Sequence, residues 1–202
     1  MHTRLALDCS TTGLSLALQM DSGETFAFTT TEARSSDLLP TALQSLFTQS
    51  ATAAANLTHI YVTTGPGSFT GIRLGLAVAE ALKMVNPALA IIGLPTLHAL
   101  AAQLIATTPP QGAFTLVTDA AGGQLYAQTF TAEGDAHTAA ACVPATTSFT
   151  IPVYASPLLM RAGALPMPPL SAHTLFTLAH QTSVHLPPQP VYLKPLTYKL
   201  AP

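Results

Sequence analysis

The chain has 202 residues, 49% of them hydrophobic, and its seven Lys and Arg against nine Asp and Glu give a formal charge of -2. Only 8% of residues are charged, against about 25% in ordinary soluble domains, so part of the surface is apolar. That fits a lasting protein partner, or a lineage rich in Ala and Thr, and it excludes nucleic-acid binding through net charge. The length suits one large domain or two small lobes.

Taken in chain order, MHTRLALDCS reaches Asp8 after three apolar residues, too soon for a secretory signal. Leu5-Ala6-Leu7, Leu14 to Leu18 and Thr25 to Thr29 alternate like strands and predict an antiparallel meander, with a turn at Asp21-Ser22-Gly23. Ser35-Ser36-Asp37 is a capping sequence for a helix carrying Leu38, Leu39, Ala42, Leu43, Leu46 and Phe47, with Pro40 in its first turn. Strand Ile60 to Thr63, a glycine-rich loop, a helix from about Gly71 to Val85, strand Ala90-Ile91-Ile92 and a helix from Pro95 to Ile105 follow. Thr107-Thr108-Pro109-Pro110 marks a boundary, dividing an N-terminal lobe, 1–108, from a shorter C-terminal lobe, 109–202.

Beyond that boundary, LVTDAAGGQLYAQTF echoes ALDCSTTGLSLAL: an apolar strand, an Asp, a small-residue turn ending in Gly, and a second strand. The echo, read with the βββαβα order, predicts two related lobes of actin-like type. A short helix is expected near Ala172 to His180, amid prolines that leave the second lobe abbreviated. No apolar run reaches the about 18 residues of a membrane span, and Cys9 and Cys142 are too few and too far apart for a disulfide framework or zinc site. The chain reads as cytoplasmic.

TGPGSFTGIR, Thr64 to Arg73, has the look of a phosphate cradle but lacks the Lys of a Walker A loop. Its glycines are spaced G-x-G-x-x-x-G, and Pro66 removes a backbone donor, so only the helix N-terminus offers an anion site. Gly71, Gly75 and Ala79 recur every four residues as a small-residue stripe, beside an apolar stripe of Leu74, Val78 and Leu82. Such a stripe lets a second helix approach closely, either from a partner or from within this chain. Asp8-Cys9-Ser10-Thr11-Thr12-Gly13 is the other candidate: an Asp at a strand end with turn hydroxyls can hold magnesium-bound water and phosphate, or can simply close a hairpin. The seven histidines show no metal-binding helical spacing, His98 reads as a satisfied packing residue, and Ser68 has no nucleophile-elbow context.

ALDCSTTGLSLAL, SDLLPTALQSLF, VTTGPGSFTGIRLGLAVAEALKM and IIGLPTLHALA together resemble the bacterial TsaB (YeaZ) family through residues 4–103. DAAGGQLYAQTF and PVYLKPLTYKL resemble that family's second-lobe hairpin and C-terminal segment. The resemblance implies an α/β, two-lobed, actin-like ASKHA (ribonuclease H-like) fold with mixed sheets, and a role in making N6-threonylcarbamoyladenosine at position 37 of tRNA. It implies a non-catalytic subunit paired with a TsaD-like transferase and a TsaE-like ATPase, meeting tRNA through the complex. ATP and metal are expected on those partners, with no cofactor, catalytic residue or metal on this chain. The implied partner contact is a helix bundle, carried here onto Leu38, Ala42, Leu46, Gly71, Leu74, Gly75, Val78, Ala79 and Leu82. Alone, the chain could close the same face as a homodimer.

Asp8, Ser10, Thr11 and Thr12 are then a vestigial phosphate turn. Cys9 stands where the family commonly has Thr, and Ala120-Ala121 where its hairpin often carries basic residues. The alternative from another class is an ASKHA-type ATP-dependent phosphotransferase using the DCSTTG turn. A metallopeptidase-like enzyme rests only on old naming of the wider family.

Overall fold

In the computed structural model, residues 2–31, 35–156, 159 and 163–194 are described. The meander forms as β1 Thr3–Asp8, β2 Leu14–Gln19 and β3 Thr25–Thr30. Leu5 pairs with Leu18 and Leu7 with Leu16 across β1 and β2, so the large side chains share one face while Ala6 and Ala17 share the other. β4 Leu57–Gly65 and β5 Ala90–Pro95 add in parallel, giving the order β3-β2-β1-β4-β5. Both parallel strands run longer than their apolar kernels predict.

The second sheet combines β6 Phe114–Asp119, β7 Gln124–Phe130, β8 Ala141–Pro144, β9 Val153–Ala155 and β10 Ala164–Pro166. Its order, read from the β8 edge, is β8-β7-β6-β9-β10. That is the first sheet's pattern repeated strand for strand, with antiparallel pairing in the first three strands and parallel pairing in the rest. The short sequence echo therefore extends to the whole topology, and the fold is the two-lobed actin-like one. The second lobe is abbreviated in the manner expected: β9 and β10 have three residues each. Pro144 and Pro166 fall on the edge strands β8 and β10, where a missing N–H is tolerated.

Helices α1 Ser35–Gln49 and α2 Phe69–Val85 cover the outer face of the first sheet through Leu39, Ala42, Leu46, Ile72, Leu76, Ala79 and Leu82. In α1, Ser35 to Asp37 lie in the first described turn and Pro40 in the second. Helix α3 Thr96–Thr107 and the short α4 His173–Leu178 fill the space between the sheets. There Ala6, Ala17, Tyr61 and Leu94 of the first sheet share one core with Phe114, Leu116, Phe130 and Tyr154 of the second.

Although 108/109 separates the sheets in sequence, the chain returns to the first lobe afterwards. The Ala172 amide donates to Ser15 Oγ at 2.8 Å, Leu186 bridges Gly93, and the Val191 amide donates to the Thr64 carbonyl at 2.8 Å. No described helix is long and apolar enough to cross a membrane.

Candidate functional site

At the carboxyl ends of β1 and β4, Asp8 is 1% exposed and its carboxylate is fully engaged. Oδ1 accepts from the Ser10 amide at 2.9 Å, Ser10 Oγ at 2.6 Å and Thr63 Oγ1 at 2.6 Å. Thr11 Oγ1 donates to Oδ2. Behind this lies a relay in which the Gly65 amide donates to Thr96 Oγ1, and Thr96 Oγ1 donates to Ser10 Oγ at 2.8 Å. The predicted phosphate turn Asp8, Ser10, Thr11 and Thr12 is thus brought together, but its acid faces inward, satisfied by its own hydroxyls. Thr63 and Thr96 belong to this network without having been foreseen, since they lie 55 and 86 or more residues away in the chain. Burial, then the Asp8 charge, push the neighbouring Cys9 thiol up to about 12, which makes it a packing group rather than a nucleophile.

The glycine loop serves this turn. The Ser68 amide donates to the Ser10 carbonyl at 2.8 Å. A Cβ at Gly67 would lie 2.2 Å from that carbonyl oxygen, and one at Gly71 would lie 1.8 Å from the Cys9 carbonyl oxygen, so no larger residue allows the approach. Ser68 Oγ caps α2 by accepting from the Gly71 amide at 3.1 Å.

A cleft of about 680 Å³ opens between the lobes, walled by Ser10, Thr12, Ser68 and Thr96 on one side and Thr118 and Asp119 on the other. Asp119 mirrors Asp8 by accepting from the Ala121 amide at 2.9 Å, yet it is exposed. The described residues lining the cleft supply hydroxyls, one carboxylate and apolar side chains such as Leu100, Met167 and Leu170, and none of them is Lys or Arg.

The expected partner face needs correction. Gly71, Gly75 and Ala79 are buried, and a Cβ at Gly75 would meet Val62 at 3.4 Å and Leu7 at 3.7 Å, so the stripe faces the chain's own sheet. Ala42, Leu46 and Leu82 are likewise buried in the first-lobe core. Leu38, Leu74 and Val78 remain half-buried at the surface, joined by Leu43 and Phe47, which pack on that core from outside. Leu43 and Phe47, four residues apart, were legible as a helical pair but not as a half-buried one. Beside them an open hollow of about 520 Å³ is lined by Pro40, Leu43, Gln44, Phe47, Thr48 and Thr52. Helix α2 ends in the exposed Met84 and Val85.

His98 packs as expected, edge-on to Phe130 at 5.2 Å, but its buried Nδ1 has no hydrogen-bond partner among the described residues, and desolvation lowers its pKa. Among the described residues no group of three or more His, Cys, Asp or Glu is placed to hold a metal.

A family model described as TsaD: tRNA N6-adenosine threonylcarbamoyltransferase matches residues 29–163, more than half of the chain. The chain belongs to the TsaD family. Within that family its likeness is to TsaB (YeaZ). It is 31% identical over 97 residues to the tRNA threonylcarbamoyladenosine biosynthesis protein TsaB of Escherichia coli strain K12. That match takes in 48% of this chain and 42% of the relative, so the chain spans less than half the length of the curated TsaB it matches. YeaZ from Pseudomonas aeruginosa has a TM-score of 0.76 at 22% identity, covering 96% of this chain and 100% of that one. A second Pseudomonas aeruginosa structure, described as similar to peptidase YEAZ, has the same TM-score and coverage at 20% identity. These two structures share the fold.

Proposed function

We propose that the chain is a non-catalytic scaffold subunit in the synthesis of tRNA N6-threonylcarbamoyladenosine, pairing with and supporting a TsaD-like transferase. The observation that carries this reading is the outer face of α1 and α2, where Leu38, Leu43, Phe47, Leu74 and Val78 stay partly exposed after the lobe has completed its own core. A helical face of that kind, with Asp37, Arg73, Glu80 and Lys83 as the charged residues of the two helices, suits the flat apolar surface of another helix pair. A TsaE-like ATPase joins the pair, tRNA is met through the complex, and ATP and metal reside on the partner subunits. The setting is cytoplasmic. In the partner's absence the same face closes on a second copy.

Co-expression with the TsaD-like protein of the same organism, followed by size-exclusion chromatography, tests the proposal. The two chains should co-elute. Phe47→Glu should abolish co-elution while leaving the isolated chain folded by circular dichroism, and intact pairing by this variant would show the face to be misassigned.

The phosphotransferase reading requires Asp8 to release its four donors and turn toward the cleft. Calorimetric titration with magnesium and ATP separates the two readings. Magnesium-dependent binding by the chain alone would favour the phosphotransferase, and no heat of binding is expected from a scaffold.

A further inference from the structure

The segment from Leu186 to Lys194 crosses from one lobe to the other with an anchor at each stage. Leu186 and Gly93 exchange backbone hydrogen bonds of 2.8 and 2.9 Å. The Val191 amide holds the Thr64 carbonyl, immediately before the glycine loop. The Tyr192 ring then lies against Phe69 with centroids 5.2 Å apart, and the Arg73 guanidinium sits over Phe69, also at 5.2 Å. Finally Lys194 Nζ donates to two successive carbonyls of the second lobe, Ala120 at 3.1 Å and Ala121 at 3.0 Å.

The far anchor is a turn in need of support. Ala121, Gly122 and Gly123 have consecutive positive φ values of 55°, 64° and 73°. A left-handed Ala is unfavourable on its own, and the turn is closed by the Ala120 amide donating to the Gln124 carbonyl. An ammonium shared by two carbonyls at this turn lowers the energy of the strained conformation. The near anchor is equally specific. Phe69 is 44% and Tyr192 42% exposed, and the two rings meet each other at the surface, with Arg73 over Phe69.

We propose that the Leu186–Lys194 segment is a mechanical link between the first turn of α2 and the Ala120–Gly123 turn at the rim of the cleft. What happens to Phe69 and Arg73 is passed to the second lobe through Tyr192, Leu193 and Lys194, without passing through the core between the sheets. Anything that docks on the start of α2 then tightens or loosens the wall carrying Thr118 and Asp119.

Native-state amide hydrogen exchange on the full chain tests the link, with the amides of β1 and β4 read in the same run as the measure of global stability. Relative to those strands, Lys194→Met should speed exchange at Ala120 and Ala121 several-fold, and Lys194→Arg should restore protection. The decisive variant is Phe69→Ala, whose site lies on the other lobe at the start of α2. It should also speed exchange at Ala120 and Ala121. If Phe69→Ala leaves those two amides at the wild-type rate while Lys194→Met accelerates them, Lys194 is a local staple and the link is overturned. Unchanged rates in both variants overturn it as well.

Discussion

Asp8 takes four hydrogen bonds from three residues, and each donor would be stranded by its loss. Asp8→Ala is therefore expected to lower the unfolding free energy by about 3 kcal/mol, since buried donors left without partners cost roughly 1–3 kcal/mol each and do not add fully. Urea denaturation measures this, and a cost near zero would mean the carboxylate faces the cleft after all. Gly67→Ala forces a Cβ onto the Ser10 carbonyl, so it should destabilise the chain without touching the partner face. His98 supplies a pH dependence. Its folded pKa is held below the ordinary 6.5 by desolvation, so the unfolded chain binds the proton more readily. Stability is then full above about pH 6.5 and is lost as pH falls through the lower folded value. His98→Leu should flatten the acid side of a Tm-against-pH curve, and an unaltered slope would contradict the assignment.

At the scale of elements, α1 and α2 divide their residues between two jobs. Spacing alone brought out the Gly71-Gly75-Ala79 stripe and the Leu74-Val78-Leu82 stripe, but could not say which faces inward, because α2 is apolar on nearly every side. The register of β1 and β4 decides it: Leu7 and Val62 occupy the space under Gly75, so the small stripe meets the sheet and Leu74 and Val78 turn outward. Gly75→Trp is accordingly expected to unfold the lobe, whereas Val78→Glu should weaken the proposed pairing with a TsaD-like partner and leave helix content unchanged. Circular dichroism and co-elution, run on both variants, distinguish these outcomes. The elements of the first lobe were legible because their strands alternate and their helices carry long apolar periods. β8, β9 and β10 were not, being three or four residues long and holding Pro144 and Pro166. The Asp8 network was legible only in its local half, Ser10 and Thr11. Thr63 and Thr96 join through sheet pairing that no local pattern encodes.

For the whole molecule, the two sheets repeat one strand order but do not form independent units. The inner face of the first sheet is covered by α3 over β4 and β5 and by α4 over β1 and β2, where Ala6 and Ala17 lie, and α4 arrives from beyond the second sheet. A fragment ending at residue 108 keeps α3 but loses α4 and the second sheet, so the core between the sheets is left open on one side and the fragment should fail to give a native, dispersed amide spectrum. The body so formed leaves apolar side chains of α1 and α2 outward and the Asp8 carboxylate inward. Reconstitution with tRNA tests the scaffold proposal most directly: the TsaD-like transferase, the TsaE-like ATPase and threonylcarbamoyl adenylate are combined with or without this chain, and N6-threonylcarbamoyladenosine is measured by mass spectrometry of digested tRNA. The scaffold account predicts modification with the wild-type chain, its loss without the chain or with Phe47→Glu, and none from the chain alone. Equal modification with and without the chain would contradict it.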